Sequence, residues 1–199
     1  MFTREERHFY ELDRKVGVWR AHGHPASRSP ARFDGDKLRW LNQQYIKEAD
    51  NARLAELAEP FLKRDGCDIA RGAPLANVVA LLKDRVSTIE ELADAAVYFY
   101  RELEPSAELK AQHFTVDIKP AMAALHDKLS RVEWNRANIS GAVKAVVAEH
   151  KRKMPQIAMP LRVMVTGETQ TPSVDATLEL IGKDAVLARM AKQLQAFPA

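Results

Sequence analysis

A single cysteine, Cys67, occurs among the 199 residues, so neither an intrachain disulfide nor a cysteine-based zinc site can form. The longest apolar runs are too short to cross a bilayer, and the opening Met1-Phe2-Thr3-Arg4-Glu5-Glu6-Arg7 is charged where a secretory leader needs an apolar stretch. A cytoplasmic protein is expected. No Gly-x-x-x-x-Gly-Lys phosphate loop is present, and His113, His126 and His150 are too scattered to argue a Ser/His/acid set. His22-Gly23-His24 is a close pair, but no second pair of spaced His, Cys or acidic ligands accompanies it, so it reads as a solvated loop and no metal site is expected.

The balance of 46% hydrophobic and 29% charged residues is that of a globular chain able to bury one core or two small ones. A formal charge of +3 and a pI near 9.0 suit a polyanionic partner without establishing one.

Apolar spacing is helical along most of the chain. Leu38, Leu41, Tyr45 and Ile46 give one face to a helix beginning near Asp34 or Asp36, with Trp40 off the stripe. Leu54, Leu57, Phe61 and Leu62 mark a second helix, and Val78, Val79, Leu81 and Leu82 a third that stops near Arg85. Ser87 and Thr88 followed by Glu90 and Glu91 form a capping box for a fourth, holding Leu92, Ala96 and Phe99. The acidic, proline-containing Glu102-Leu103-Glu104-Pro105-Ser106 is a candidate boundary. Beyond it, helices recur with Leu109 and Phe114, with Met122, Leu125 and Leu129, and with Ile139, Val143, Val146 and Val147, the last of these stopped by Pro155. Ala158 to Val165 fits a short strand by its β-branched content, whereas Pro160 and Gly167 favour one or two helical turns. Leu187, Met190 and Leu194 build a final helix. Trp40 and Trp134 are expected in the core.

Met159-Pro160-Leu161-Arg162-Val163-Met164-Val165-Thr166-Gly167, then Thr171-Pro172-Ser173-Val174 and Leu178-Glu179-Leu180-Ile181-Gly182-Lys183, resemble the closing segment of bacterial glutamyl-tRNA synthetases. Upstream, Ser29-Pro30-Ala31-Arg32-Phe33-Asp34 through Lys37-Leu38, Trp40-Leu41-Asn42 and Tyr45-Ile46-Lys47 is similar to the same family's approach to its first anticodon-domain helices. The resemblance covers residues 29–199. It implies an all-α, two-part helical anticodon-binding region, with subdomains at 29–104 and 105–199 behind a poorly matched segment 1–28, and it decides for helix at 158–165. It also implies a chain that begins where the catalytic module ends. The family's His-Ile-Gly-His and Lys-Met-Ser-Lys-Ser motifs are absent, so no catalytic residue is expected, and ATP and Mg²⁺ belong to the missing catalytic domain. The expected partner is glutamate tRNA, with glutamine tRNA as a second substrate left open, and a monomer is expected.

Anticodon bases are unpaired and are read by hydrogen bonds to their edges from a few basic side chains and from irregular backbone. By the resemblance, Arg85 within Leu82-Lys83-Asp84-Arg85 occupies the place of the arginine that recognises the third anticodon base; a surface salt bridge is the alternative. Lys144 stands where a second basic contact is commonly arginine, and lysine keeps the charge while losing the planar fork. Lys151, two turns on, extends a basic strip, or the strip is an ordinary solvated face. His150-Lys151-Arg152-Lys153 suits either a helix C-terminus or phosphate contact. Arg162, Thr171, Pro172 and Val174 match the family's contacts to the first two bases. Ser173 replaces a common glycine and Asp175 a common apolar residue, the latter adding a carboxylate that should weaken RNA binding slightly. Lys37, Arg39 and Lys47 are candidates for the tRNA backbone. The rival reading is a helical scaffold or protein-interaction module derived from such a domain, which need not keep Arg85, Arg162 and the Thr171-Pro172 corner.

Overall fold

In the computed structural model, residues 35–198 are described. The Ser29–Asp34 motif, the segment 1–28 and the His22-Gly23-His24 pair lie outside them. Ten α-helices and no strand occur among the described residues: α1 (Gly35–Glu48), α2 (Asn51–Arg64), α3 (Leu75–Leu82), α4 (Ile89–Tyr100), α5 (Ala107–His113), α6 (Lys119–Arg131), α7 (Arg136–Glu149), α8 (Met154–Thr166), α9 (Val174–Ile181) and α10 (Lys183–Leu194). A single 3-10 turn, Lys83–Arg85, follows α3. The all-α class expected from the apolar spacing is therefore present.

Local chemistry sets the helix starts. Thr88 accepts the Glu91 amide at 3.0 Å, and the Glu91 carboxylate accepts the Ser87 amide at 2.7 Å, so two orphan donors at the start of α4 are satisfied reciprocally. Asp50, Ser106 and Asn135 cap α2, α5 and α7 by a single bond each, the side-chain oxygen accepting the amide three residues on. Each such cap stabilises by about 1 kcal/mol.

Helices α2, α3 and α4 pack on one another, and α1 lies against the 3-10 turn. Arg39 pairs with Glu91, the Asn42 amide donates to the Ser87 carbonyl, and Lys83 Nζ donates to the Ala49 carbonyl at 3.1 Å. Farther along, α6 packs on α7 and α10, and α9 packs on α7, α8 and α10 while also touching α3 and α4. Helix α8 is central. Ile157, Leu161, Val163, Met164 and Val165 are all buried, and burial of each such side chain contributes about 1.5–3 kcal/mol. Val163, Met164 and Val165 are consecutive apolar residues, two of them β-branched, which is why 158–165 looks strand-like in sequence. It is helical for 13 residues, longer than one or two turns.

Three further expectations are corrected. Pro155 does not stop α7, which ends at Glu149; it sits in the first turn of α8, where its missing N–H costs no hydrogen bond. Lys151 is not on the α7 helix face, because it adopts a left-handed φ of 50° in the turn after the helix. Trp40 is not core: it is 60% exposed, while Trp134 is half-buried against the core. Trp40 lies off the α1 stripe, and only Ile46 of that helix is buried.

The joint between α4 and α5 is tied to the last helices. Arg189 on α10, 7% exposed, donates through Nη1 to the Tyr98 carbonyl at 2.8 Å and the Val165 carbonyl at 2.9 Å, joining α4 to α8. Lys192 pairs with Glu102 at 2.8 Å and Glu104 at 3.2 Å. Gly167 ends α8 with φ of 75°, and a Cβ there would stand 3.0 Å from Leu103 Cβ and 3.1 Å from its carbonyl oxygen. Both the positive φ and the close approach require glycine.

Candidate nucleic-acid interface

Arg85 closes the 3-10 turn between α3 and α4, exposed, where the chain turns toward the Thr88 cap. Arg162 projects from the last turns of α8 and is half-buried. The two arginines are 77 positions apart by number yet lie within electrostatic reach of each other. Burial, and then the Arg85 charge, push the Arg162 guanidinium below its ordinary pKa. Among the described residues neither is bonded to a carboxylate. Two guanidiniums with no bonded carboxylate, near enough for one charge to act on the other, suit an electron-rich partner.

Arg162 also shapes the loop that follows it. Its Nη1 donates to the Thr169 carbonyl at 3.2 Å and to the Met159 sulfur at 3.3 Å, and its Nη2 donates to the Pro172 carbonyl at 3.3 Å. Thr166 Oγ1 donates to the Arg162 carbonyl at 2.8 Å and accepts the Glu168 amide at 3.2 Å. The irregular segment between α8 and α9 is thus held by α8 itself, and α9, which follows it, touches α3 and α4. Thr171 and Pro172 are buried in this loop, the Thr171 hydroxyl donating to the Pro172 carbonyl at 3.3 Å, and Val174 begins α9 half-buried.

The other expected contacts are dispersed. Lys144 is exposed on α7 and Lys151 in the turn after it; Lys47 is half-buried near the end of α1; none of these three has an ion pair among the described residues. Lys37 is exposed on α1. Arg39 has a partner already, Glu91, whose carboxyl is pushed up by burial but held below its ordinary value overall by the Ser87 amide and Arg39.

Asp175, read from the sequence as a free carboxylate beside RNA, is not free. Arg136 Nε donates to it at 2.6 Å, Arg136 Nη2 donates to Ser173 Oγ at 3.1 Å, and the Arg136 amide donates to Glu179 at 2.8 Å. Burial pushes the Asp175 carboxyl up, yet the Arg136 and Ser173 hydrogen bonds hold it below its usual range. Its charge is largely neutralised, and the pair ties the start of α7 to the start of α9.

Sequence reasoning missed Arg136, Arg189 and Tyr98. Tyr98, on α4, is 4% exposed, and its hydroxyl has no hydrogen-bond partner among the described residues. Burial pushes its pKa well up, against the lowering influence of Arg85 and Arg162. The only signal of it was a tyrosine inside the Ala96–Phe99 apolar run, which reads as core. Among the described residues no group of three or more His, Cys, Asp or Glu side chains could hold a metal ion, and no helix is long and apolar enough to cross a membrane.

The chain is 56% identical over 173 residues to the glutamate–tRNA ligase of Nitrosospira multiformis, and 57% identical over 162 residues to that of Thiobacillus denitrificans. These alignments cover 86% and 81% of this chain but 37% and 34% of the relatives, so the chain spans little more than a third of their length. The fold superimposes on the crystal structure of a glutamate tRNA ligase from Elizabethkingia meningosepticum with a TM-score of 0.77 at 21% identity, over 85% of this chain and 34% of that one. Residues 53–194 match the family model described as an anticodon binding domain, and a match over that much of the chain, with helices in the same arrangement, shows that the protein belongs to the anticodon binding domain family.

Proposed function

We propose that the chain recognises the anticodon of glutamate tRNA as part of a glutamate–tRNA ligase, the activity named for its relatives. One observation carries the reading: Arg162, with no carboxylate bonded to it, holds the irregular loop from Gly167 to Ser173, and Arg85, likewise free of a bonded carboxylate, lies within its electrostatic reach. Unpaired bases need such donors and such backbone. Arg85 reads the third anticodon base. Arg162 holds the loop that meets the first two, with the buried Thr171 and Pro172 setting its backbone and the half-buried Val174 beside it. Lys37, Lys47, Lys144 and Lys151 supply charge to the RNA backbone, and Arg39 does so only by leaving Glu91. The domain acts as a monomer in the cytoplasm, and glutamine tRNA is a second partner to test. ATP and Mg²⁺ belong to a nucleotide-binding module that these helices do not supply, so this chain contributes binding to the ligase reaction. A scaffold would have no use for two arginines kept unpaired at one loop.

The test is a fluorescence titration of the purified chain with glutamate tRNA at increasing salt. About four phosphate contacts, each adding about 0.7–0.9 to the logarithmic salt slope, predict an affinity loss of about 50- to 150-fold for a fourfold rise in salt. Absence of binding at low salt would turn the reading toward the scaffold.

A further inference from the structure

Arg162 grips the loop after α8 from one end, and a second arginine grips it from the other. Arg162 bonds the Thr169 and Pro172 carbonyls. Arg136, at the first position of α7, donates through Nη2 to Ser173 Oγ at 3.1 Å and through Nε to the Asp175 carboxylate at 2.6 Å. The two guanidiniums thus bond consecutive residues, Pro172 and Ser173, and Arg136 bonds the residues on either side of Val174. The backbone of Arg136 is fixed as well. Its amide, which has no partner within the helix, donates to the Glu179 carboxylate at 2.8 Å, directly after the Asn135 cap. Held at three points, the side chain is nonetheless 57% exposed, and its Nη1 has no hydrogen-bond partner among the described residues. Arg162, by contrast, is half-buried with its Nε enclosed. A free surface arginine loses much rotamer freedom when a partner immobilises it. Asp175 and Ser173 have already fixed this one, and the Nη1 hydrogens stay open to a partner arriving from solvent.

We propose that Arg136 is a further specificity-determining residue of the RNA site, its guanidinium oriented by Asp175 and Ser173 so that Nη1 donates to the acceptor edge of an unpaired base. The proposal rests on the anticodon reading above and adds to it a residue outside the sequence motifs. Charge selects base over phosphate. Asp175 offsets the guanidinium, and exposed Glu179, bonded to the Arg136 amide, adds a second carboxylate, so the immediate surroundings are net negative and disfavour a phosphate. A base edge is neutral and carries carbonyl oxygens and ring nitrogens, which a group that only donates can bond.

The experiment compares the wild-type chain with the double variant Arg136→Gln, Asp175→Asn, which removes the guanidinium without changing the net charge. Both are titrated by fluorescence with glutamate tRNA and with tRNAs altered one base at a time in the anticodon, at low salt and at fourfold higher salt. The double variant should bind glutamate tRNA about 3- to 10-fold more weakly, the range of one hydrogen bond, while its binding of one altered tRNA stays at the wild-type level. Its salt slope should equal that of the wild type, whereas loss of a phosphate contact would lower the slope by about 0.7–0.9. Arg136→Lys keeps the charge opposite Asp175 and the tie between α7 and α9 but lacks the planar fork, and should lose the same preference. Equal losses on every tRNA, a lowered slope, or full preference in Arg136→Lys would each overturn the proposal. So would wild-type affinity of the double variant for every tRNA. If the wild type itself does not distinguish the tRNAs, the anticodon reading fails and the proposal with it, a result separable from failure of Arg136 alone.

Discussion

Arg162→Met separates two duties that the structure gives to one side chain. The substitution keeps the apolar stem and removes the guanidinium that bonds the Thr169 and Pro172 carbonyls at 3.2 and 3.3 Å. Hydrogen bonds to a charged group contribute about 1.5–3 kcal/mol each, and at these long distances the low end applies, about 3 kcal/mol for the two. Against this, the variant no longer keeps a half-buried cation near Arg85, which offsets roughly a third to two-thirds of the loss. A net destabilisation of about 1–2 kcal/mol follows, and for a chain of this size the unfolding midpoint should fall by about 2–8 °C. Thermal unfolding followed by circular dichroism measures it. Arg162→Lys is the control: its single ammonium cannot present a planar fork to two carbonyls and should recover less than half of the loss. An unchanged or raised midpoint for Arg162→Met would show that the loop is not held by this side chain.

Arg85→Gln should leave stability within about 0.5 kcal/mol, because the side chain is exposed. In a complete ligase carrying this domain, it should relax discrimination between the glutamate and glutamine anticodons by about 1–3 kcal/mol, by analogy with bidentate base contacts; aminoacylation of tRNAs differing only at the third anticodon base is the assay, and equal losses on both would reassign Arg85 to phosphate. Glu104 yields a pH prediction. Hydrogen bonds from Lys110 first, then Lys192, hold its carboxyl down to about 2 from an ordinary 4.5, so its folded pKa is depressed and its stabilisation is present above that ordinary value. The difference in unfolding midpoint between wild type and Glu104→Gln should be small, because the group is mostly solvated, and should vanish as pH falls through the window from 4.5 to about 2. A difference that does not change with pH would refute it.

Local signals in the sequence carried the helices whose two faces differ. Leu54 and Leu62 are buried on α2, Val78 and Val79 on α3, and Leu92, Ala96 and Phe99 on α4, because an amphipathic stripe records which face is to be covered. The Ser87–Glu91 capping box was equally legible, since its partners lie within one turn. Where apolar residues run consecutively the record is ambiguous: Val163, Met164 and Val165 on α8 are all buried and fit a strand, and Pro160, Gly167 and the resemblance were needed to select helix there.

The amino-acid sequence by itself determined the all-α class, most helix positions, the absence of synthetase catalytic motifs and the local motifs around Arg85, Arg162 and the Thr171-Pro172 corner. Tertiary structure decided which groups meet. Nothing in the local sequence links Arg85 with Arg162, pairs Arg136 with Asp175 or Arg39 with Glu91, or sets Arg189 between Tyr98 and Val165. These outcomes depend on which helix faces oppose one another after packing. Hydrophobic periodicity reports that a face is covered and is silent on what covers it, because burial of apolar surface is non-directional. Long-range hydrogen bonds and ion pairs are directional, and their partners exist only once the helices have been brought together.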